Sequence, residues 1–157
     1  MRRQLLAALA ALVFVPGMLA AQVTMAPQLN YGIDDADFGL GGRVEYVWPF
    51  DEGAFTIGSF DYFFPSSGDY WEVNINIGHR IPVEVEDLGI YAGAGLNWAH
   101  RSFENLAGNR DTDNRLGLNL LAGLKYYLTN VTPFGEIRVE AGGGKQVVFT
   151  GGVLFDI

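Results

Sequence analysis

His100 and Ser102 stand two residues apart, so in an extended chain both side chains leave the backbone on one face. Glu104, Asp111 and Asp113 follow closely. A hydroxyl, an imidazole that takes its proton and a carboxylate that orients the imidazole are the minimum set for hydrolysing an ester. The same position also suits a histidine that anchors at an apolar–aqueous boundary, and the surroundings favour this second use. The sequence carries no nucleophile elbow, no phosphate-cradling glycine loop and no cysteine or histidine cluster at metal-ligand spacing. His79, beside Arg80, falls at the far end of another extended segment and cannot share a metal with His100. Asp34, Asp35 and Asp37, and separately Asp111 and Asp113, could hold a hard cation through oxygen. Neither stretch has the glycine and closing glutamate of a calcium loop, so they read as solvated acidic turns. No metal and no cofactor is expected.

A second set of charges is spread along the chain: Arg43, Glu45, Glu72, Arg80, Lys125, Glu136, Arg138 and Glu140. Most alternate with apolar neighbours. If they share an enclosed space they serve either as a selectivity filter or as an internal salt-bridge network. Both signs are present, and buried charges persist when they are paired, which favours the network. Arg138 is expected to contact at least one of Glu45, Glu72, Glu136 or Glu140.

What positions these charges is a period of two. Residues 1–21 are read apart as a cleaved secretory signal. Arg2 and Arg3 precede an apolar run from Leu5 to Val15, Pro16 and Gly17 break it, and small residues lead to Gln22. That run is shorter than the roughly 20 residues a helix needs to cross a bilayer. Residues 22–157 form one domain without cysteine. The formal net charge of −8 speaks against nucleic acid as a partner, because phosphate binding needs a basic face.

Within this domain, about eight extended segments of roughly ten residues alternate between apolar and polar side chains and are separated by turn residues. The clearest places Trp71, Val73, Ile75 and Ile77 opposite Glu72, Asn74, Asn76 and Gly78. The third, 54–64, has poor parity, since Ser59 and Asp61 share a face with Phe55 and Ile57; a bulge is one explanation. The longest loop is read as Ser102–Asn114. Two closed architectures satisfy this pattern: a soluble barrel with an apolar inside, and a membrane barrel with the apolar face outward. Glycines on the polar face (Gly93, Gly95, Gly117, Gly123) suit a crowded interior. Aromatics gather at segment ends, with Tyr31, Trp71 and Trp98 at one end and Trp48, Tyr126 and Phe155 at the other. Two such girdles mark a membrane barrel. The expected fold is therefore all-β, an eight-stranded antiparallel up-and-down transmembrane barrel.

IYAGAGLNW (90–98), LGLNLLAGLKYY (116–127), TPFGEIRVE (132–140) and the terminal TGGVLFDI (150–157) resemble the small outer-membrane barrels of the OmpA/OmpX type. The resemblance implies an outer-membrane location, both termini in the periplasm, and contact with membrane lipid and lipopolysaccharide. It also implies recognition by the barrel assembly machinery through Thr150, Gly152, Phe155 and Ile157; the family's usual terminal phenylalanine is replaced by Ile157. The spacing of His100 and Ser102 is similar to that of the lipid A 3-O-deacylases, but there the motif lies near the C-terminus, whereas here further strands follow. The leading functional reading is a non-enzymatic barrel with a plugged polar lumen and a structural or surface-interaction role. A narrow channel for ions or small solutes is the alternative, and a lipid A esterase the second. The sequence leaves the oligomeric state open.

Overall fold

A computed structural model describes residues 23–34, 37–104 and 110–157. Residues 1–21, read from the sequence as a signal, Asp35 and the side chain of Glu104 lie outside the described residues. Eight strands follow in order: β1 Val23–Gly32, β2 Asp37–Trp48, β3 Asp51–Phe63, β4 Asp69–Ile81, β5 Leu88–Glu104, β6 Arg110–Tyr126, β7 Thr132–Ala141 and β8 Val147–Asp156. Each pairs antiparallel with its neighbour, and β1 pairs with β8 (Met25 with Phe155, Asn30 with Thr150), closing the barrel. Closure leaves no sheet edge around the wall, so the ladder satisfies its own backbone groups.

The alternation in sequence becomes an inside and an outside. Leu29, Leu40, Ile75, Leu96, Leu116, Leu118 and Leu120 are each more than half exposed, whereas Glu72, Asn74, Asn97, Asn119 and Arg138 are almost fully buried. This inverts a soluble barrel. An apolar wall this continuous is stable only against hydrocarbon, and it excludes the reading with an apolar cavity. Rings lie toward both ends of the outer wall. Tyr31 packs on Phe38 and Trp71 on Trp98 at one end, and Trp48 on Phe50 at the other, where Tyr126 and Phe155 also face outward.

Two sequence expectations need correction. Strand β3 is regular from Phe55 to Phe63 against both neighbours, and its irregularity lies before that stretch: Val47 of β2 pairs with Phe55 and Trp48 with Asp51, so residues 52–54 of β3 fall between two consecutive residues of β2. Its parity looked poor because the lumen itself is mixed: Phe55, Ile57, Asp61 and Phe63 all point inward and are 0% exposed. Ser102–Asn114 is mostly strand rather than loop. The β5–β6 hairpin runs 17 residues on each side and pairs from Leu88 with Tyr126 up to Glu104 with Arg110. Polar residues hid this extension, because beyond the apolar band both strand faces meet water and the alternation fades.

Leu118 sits within the outer apolar band, 61% exposed. Leu118→Arg is expected to lower unfolding free energy by about 2–4 kcal/mol in bilayers, the cost of a cation near the hydrocarbon midplane. Urea titration of the refolded barrel in vesicles measures it. An unchanged midpoint would mean that this face does not meet lipid.

Candidate functional site: the charged lumen

The inward side chains arrange in layers set by the register. Near the end that carries the β2–β3 turn, Phe55, Ile57, Tyr91 and Leu121 form an apolar cluster, and Ala26, Phe134 and Leu154 form another. Two cations are set among these rings. Arg43 lies 4.5 Å from the centre of Phe134, and Lys125 lies 4.0 Å from the centre of Phe55. Lys125 pairs with Glu45, and Arg43 pairs with Glu136, whose carboxylate also accepts from the Tyr91 hydroxyl at 2.7 Å. Here two cations answer two carboxylates, and aromatic faces shield the charges from competing water.

The second layer centres on Arg138, which is 1% exposed. Its Nε donates to Glu140 at 2.8 Å, and one terminal nitrogen reaches Asp61 at 3.3 Å and Glu72 at 3.4 Å. The other terminal nitrogen stands 4.0 Å from Glu136, which links the two layers. Strands β3, β4 and β7 thus converge on one guanidinium, whose planar fork of donors suits several carboxylates at once. Neutral donors complete the coordination. Gln28, Asn30, Ser59 and Asn74 all donate to Asp61, while Tyr70 and Gln146 donate to Glu72. Beside it, Asn97 and Asn119 donate to Asn74, at 2.9 and 2.8 Å, and Asn119 also to Asn76 at 2.9 Å. A third apolar cluster, Phe63, Tyr70, Ala99 and Val148, lies near this layer.

Of the charges singled out in the sequence, Arg43, Glu45, Glu72, Lys125, Glu136, Arg138 and Glu140 come together in this network. Arg80 does not. It lies beyond the lower layer, toward the mouth on the β2–β3 turn side, 5.6 Å over the ring of Tyr127. Asp61 was missed, although its parity with Ser59 and Phe55 carried the signal.

His100 and Ser102 share an outward face, yet each is committed elsewhere. The His100 ring stacks on Trp71 at 4.8 Å, and its Nδ1 lies 2.8 Å from Asn114 Oδ1. Ser102 Oγ accepts from Arg110 Nε at 2.7 Å, and Arg110 pairs in turn with Asp69. Asp113 pairs with Arg115 at 2.6 Å. At the opposite end, His79 is exposed and lies 3.5 Å from Asp51. Among the described residues, no group of three or more His, Cys, Asp or Glu side chains is placed to hold a metal. In the last strand Thr150 is buried and donates to Asn30 at 2.7 Å, while Phe155 and Ile157 are exposed.

Removing the hub should leave buried carboxylates without their cation. Arg138→Met is expected to cost about 3–5 kcal/mol, against at most about 1 kcal/mol for the exposed Arg115→Ala. Urea unfolding of both variants measures the contrast. Equal effects would show that Arg138 is not central to the lumen.

No protein-family model and no curated protein matches the chain. Solved structures do. The N-terminal β-barrel domain of Pseudomonas aeruginosa OprF superposes with a TM-score of 0.67 at 21% identity, covering 86% of this chain and 96% of that one. Neisserial surface protein A gives 0.60 at 15% identity over 87% and 95%. Ail, the attachment invasion locus protein of Yersinia pestis, gives 0.55 at 18% identity over 85% and 94%. At these identities the likeness is one of architecture: this chain is a closed eight-stranded antiparallel β-barrel, similar in fold to these outer-membrane barrels.

Proposed function

We propose that this protein is an integral outer-membrane barrel whose lumen is closed by its own side chains, with a structural or surface-interaction role and no enzymatic activity. The observation that carries this reading is the Arg138 hub. A guanidinium held by carboxylates from three strands fills the middle of a barrel only just wide enough for its own side chains. Two charge layers joined through Glu136 leave each cation paired rather than lining an open path. The outward apolar wall supports contact with membrane lipid, and the acidic turns suit divalent-ion bridges to lipopolysaccharide. Both termini are assigned to the periplasm. This places the long β5–β6 hairpin at the cell surface, where Ail, an attachment protein by name, offers a parallel for surface contact. Export through a signal in residues 1–21 belongs to the same reading. So does recognition of Thr150, Gly152, Phe155 and Ile157 by the assembly machinery.

The esterase reading finds no support in the geometry, because Ser102 Oγ faces Arg110 and the His100 Nδ1 faces Asn114. Incubating the refolded barrel with lipid A should release no acyl chain. Release that disappears in both His100→Ala and Ser102→Ala would overturn the non-enzymatic assignment.

Single-channel recording in a planar bilayer separates the plug from a pore. Wild-type barrel and Arg138→Ala are both expected to stay silent. Reproducible openings whose amplitude shifts in Arg138→Ala would make the lumen charges a selectivity filter and the protein a narrow channel.

A further inference from the structure

The two layers of lumen charge do not balance alike. In the lower one, Arg43 and Lys125 answer Glu45 and Glu136. In the upper one, Arg138 alone answers Asp61, Glu72 and Glu140, all of them buried. Neutral donors meet part of this excess, but unevenly. Asp61 accepts from Gln28, Asn30, Ser59 and Asn74, and Glu72 from Tyr70 and Gln146. Glu140 receives Arg138 on Oε1 only, and its buried Oε2 meets no donor. A buried carboxylate oxygen without a donor is costly.

What Oε2 meets instead is oxygen. Beside Gly144, Glu140 Oε2, the Tyr70 hydroxyl and Glu72 Oε1 crowd together. The Glu140 and Glu72 carboxyl groups lie in hydrogen-bonding contact. The Tyr70 hydroxyl has a single proton and gives it to Glu72, and Gln146 directs its amide to Tyr70 and Glu72. No donor is left for the contact between the two carboxyl groups. Two ionised carboxylates in such contact repel strongly, and one proton between them turns the repulsion into a short, charge-assisted hydrogen bond. The groups around the pair offer no other remedy. Asp61 of β3 and Glu136 of β7 are carboxylates themselves, and Arg138 is already shared among them. Asn119 of β6 stands level with Glu140 and is neutral, as are Asn30 of β1 and Thr150 of β8. Arg43 of β2 pairs with Glu136 in the lower layer. Arg101, which lies 4.8 Å over the ring of Tyr70, lines the solvent-open mouth cavity with Arg115 and Lys145, where water screens their charge.

We propose that Glu140 carries a proton in the folded barrel at neutral pH and donates it through Oε2 to Glu72, so that the upper layer contains a carboxylic acid–carboxylate pair. Arg138 then faces two ionised carboxylates, Asp61 and Glu72, and the orphan oxygen has its partner. Removing the proton places a third buried negative charge at the hub. The layer is thus sensitive to alkali. The inference concerns protonation alone and holds whether or not the lumen conducts.

In the unfolded chain a glutamate ionises near about pH 4.3. Above that pH the folded barrel holds one proton more than the unfolded chain, so stability falls as pH rises until the pair itself ionises. Urea unfolding of the refolded wild-type barrel in vesicles, between about pH 5.5 and 7.5, should show an unfolding constant that rises about tenfold per pH unit. Glu140→Gln keeps the shape and a donor at that position but cannot titrate. It also retains His79 and His100, so it subtracts their contribution, and it should lack the slope. Infrared spectroscopy of the wild type in heavy water at neutral pH reads the acid directly, so the test stands even if Glu140→Gln fails to fold. A protonated-carboxyl band is expected that shifts when glutamate is labelled with ¹³C at its carboxyl carbon, which separates it from Asp61. It should vanish in a folded Glu140→Gln barrel. A wild type as flat in pH as the variant, the absence of a label-sensitive acid band, or survival of that band in Glu140→Gln would each overturn the proposal.

Discussion

A wall of peptide groups facing hydrocarbon has no water to bond, so each N–H and C=O must find its partner within the protein. The β1–β8 pairing meets that demand, and the rest of the molecule follows from it. Once the sheet closes, every strand residue points either to lipid or to the interior. Leucines and isoleucines take the outside, while asparagines, carboxylates and guanidinium groups take the inside. The usual relation between burial and polarity is reversed, and the stabilising problem moves to the lumen.

Eight strands enclose too little space for water to solvate many charges, so the interior must satisfy itself. It does so by dividing the work. Aromatic and aliphatic clusters around Phe55, Phe63 and Phe134 supply packing, and the charged layers around Arg43 and Arg138 lock strands that are far apart in sequence. Arg138 reaches β3 through Asp61 and β4 through Glu72, links no purely local contact could make. Such a network stabilises little relative to a well-packed apolar core, but losing one member exposes the others. Its contribution is therefore largely to specify one closed arrangement of strands.

Much of this was legible in the chain. The alternation in 71–78 and in 115–126 sets the faces without ambiguity, and glycines opposite leucines point to a crowded interior. The charge set around Arg138 followed from parity alone. Three things did not. Phe55, Ile57 and Leu121 break the polar pattern of the inner face, because a narrow lumen needs apolar filling as well as charge, and period-two reading treats that as noise. For the same reason Asp61 was passed over. The extension of β5 and β6 past Ser102 was hidden, because outside the bilayer both strand faces are wetted and no alternation is required. The separate commitments of His100 to Asn114 and of Ser102 to Arg110 depend on partners in β6 that sequence spacing cannot reveal.

The native sequence has no cysteine, so a single introduced thiol reports directly on access to the lumen. Asn76, 1% exposed, lies among the lumen asparagines that bond to one another. Asn76→Cys in the folded barrel, challenged with a small charged methanethiosulfonate, should remain unmodified until the barrel is unfolded, while Ser66→Cys in the β3–β4 turn reacts at once. Protection of Cys at position 76 is the result expected of a lumen closed by side chains. Modification there at a rate close to that of the turn would mean a continuous aqueous path through the barrel and would contradict it.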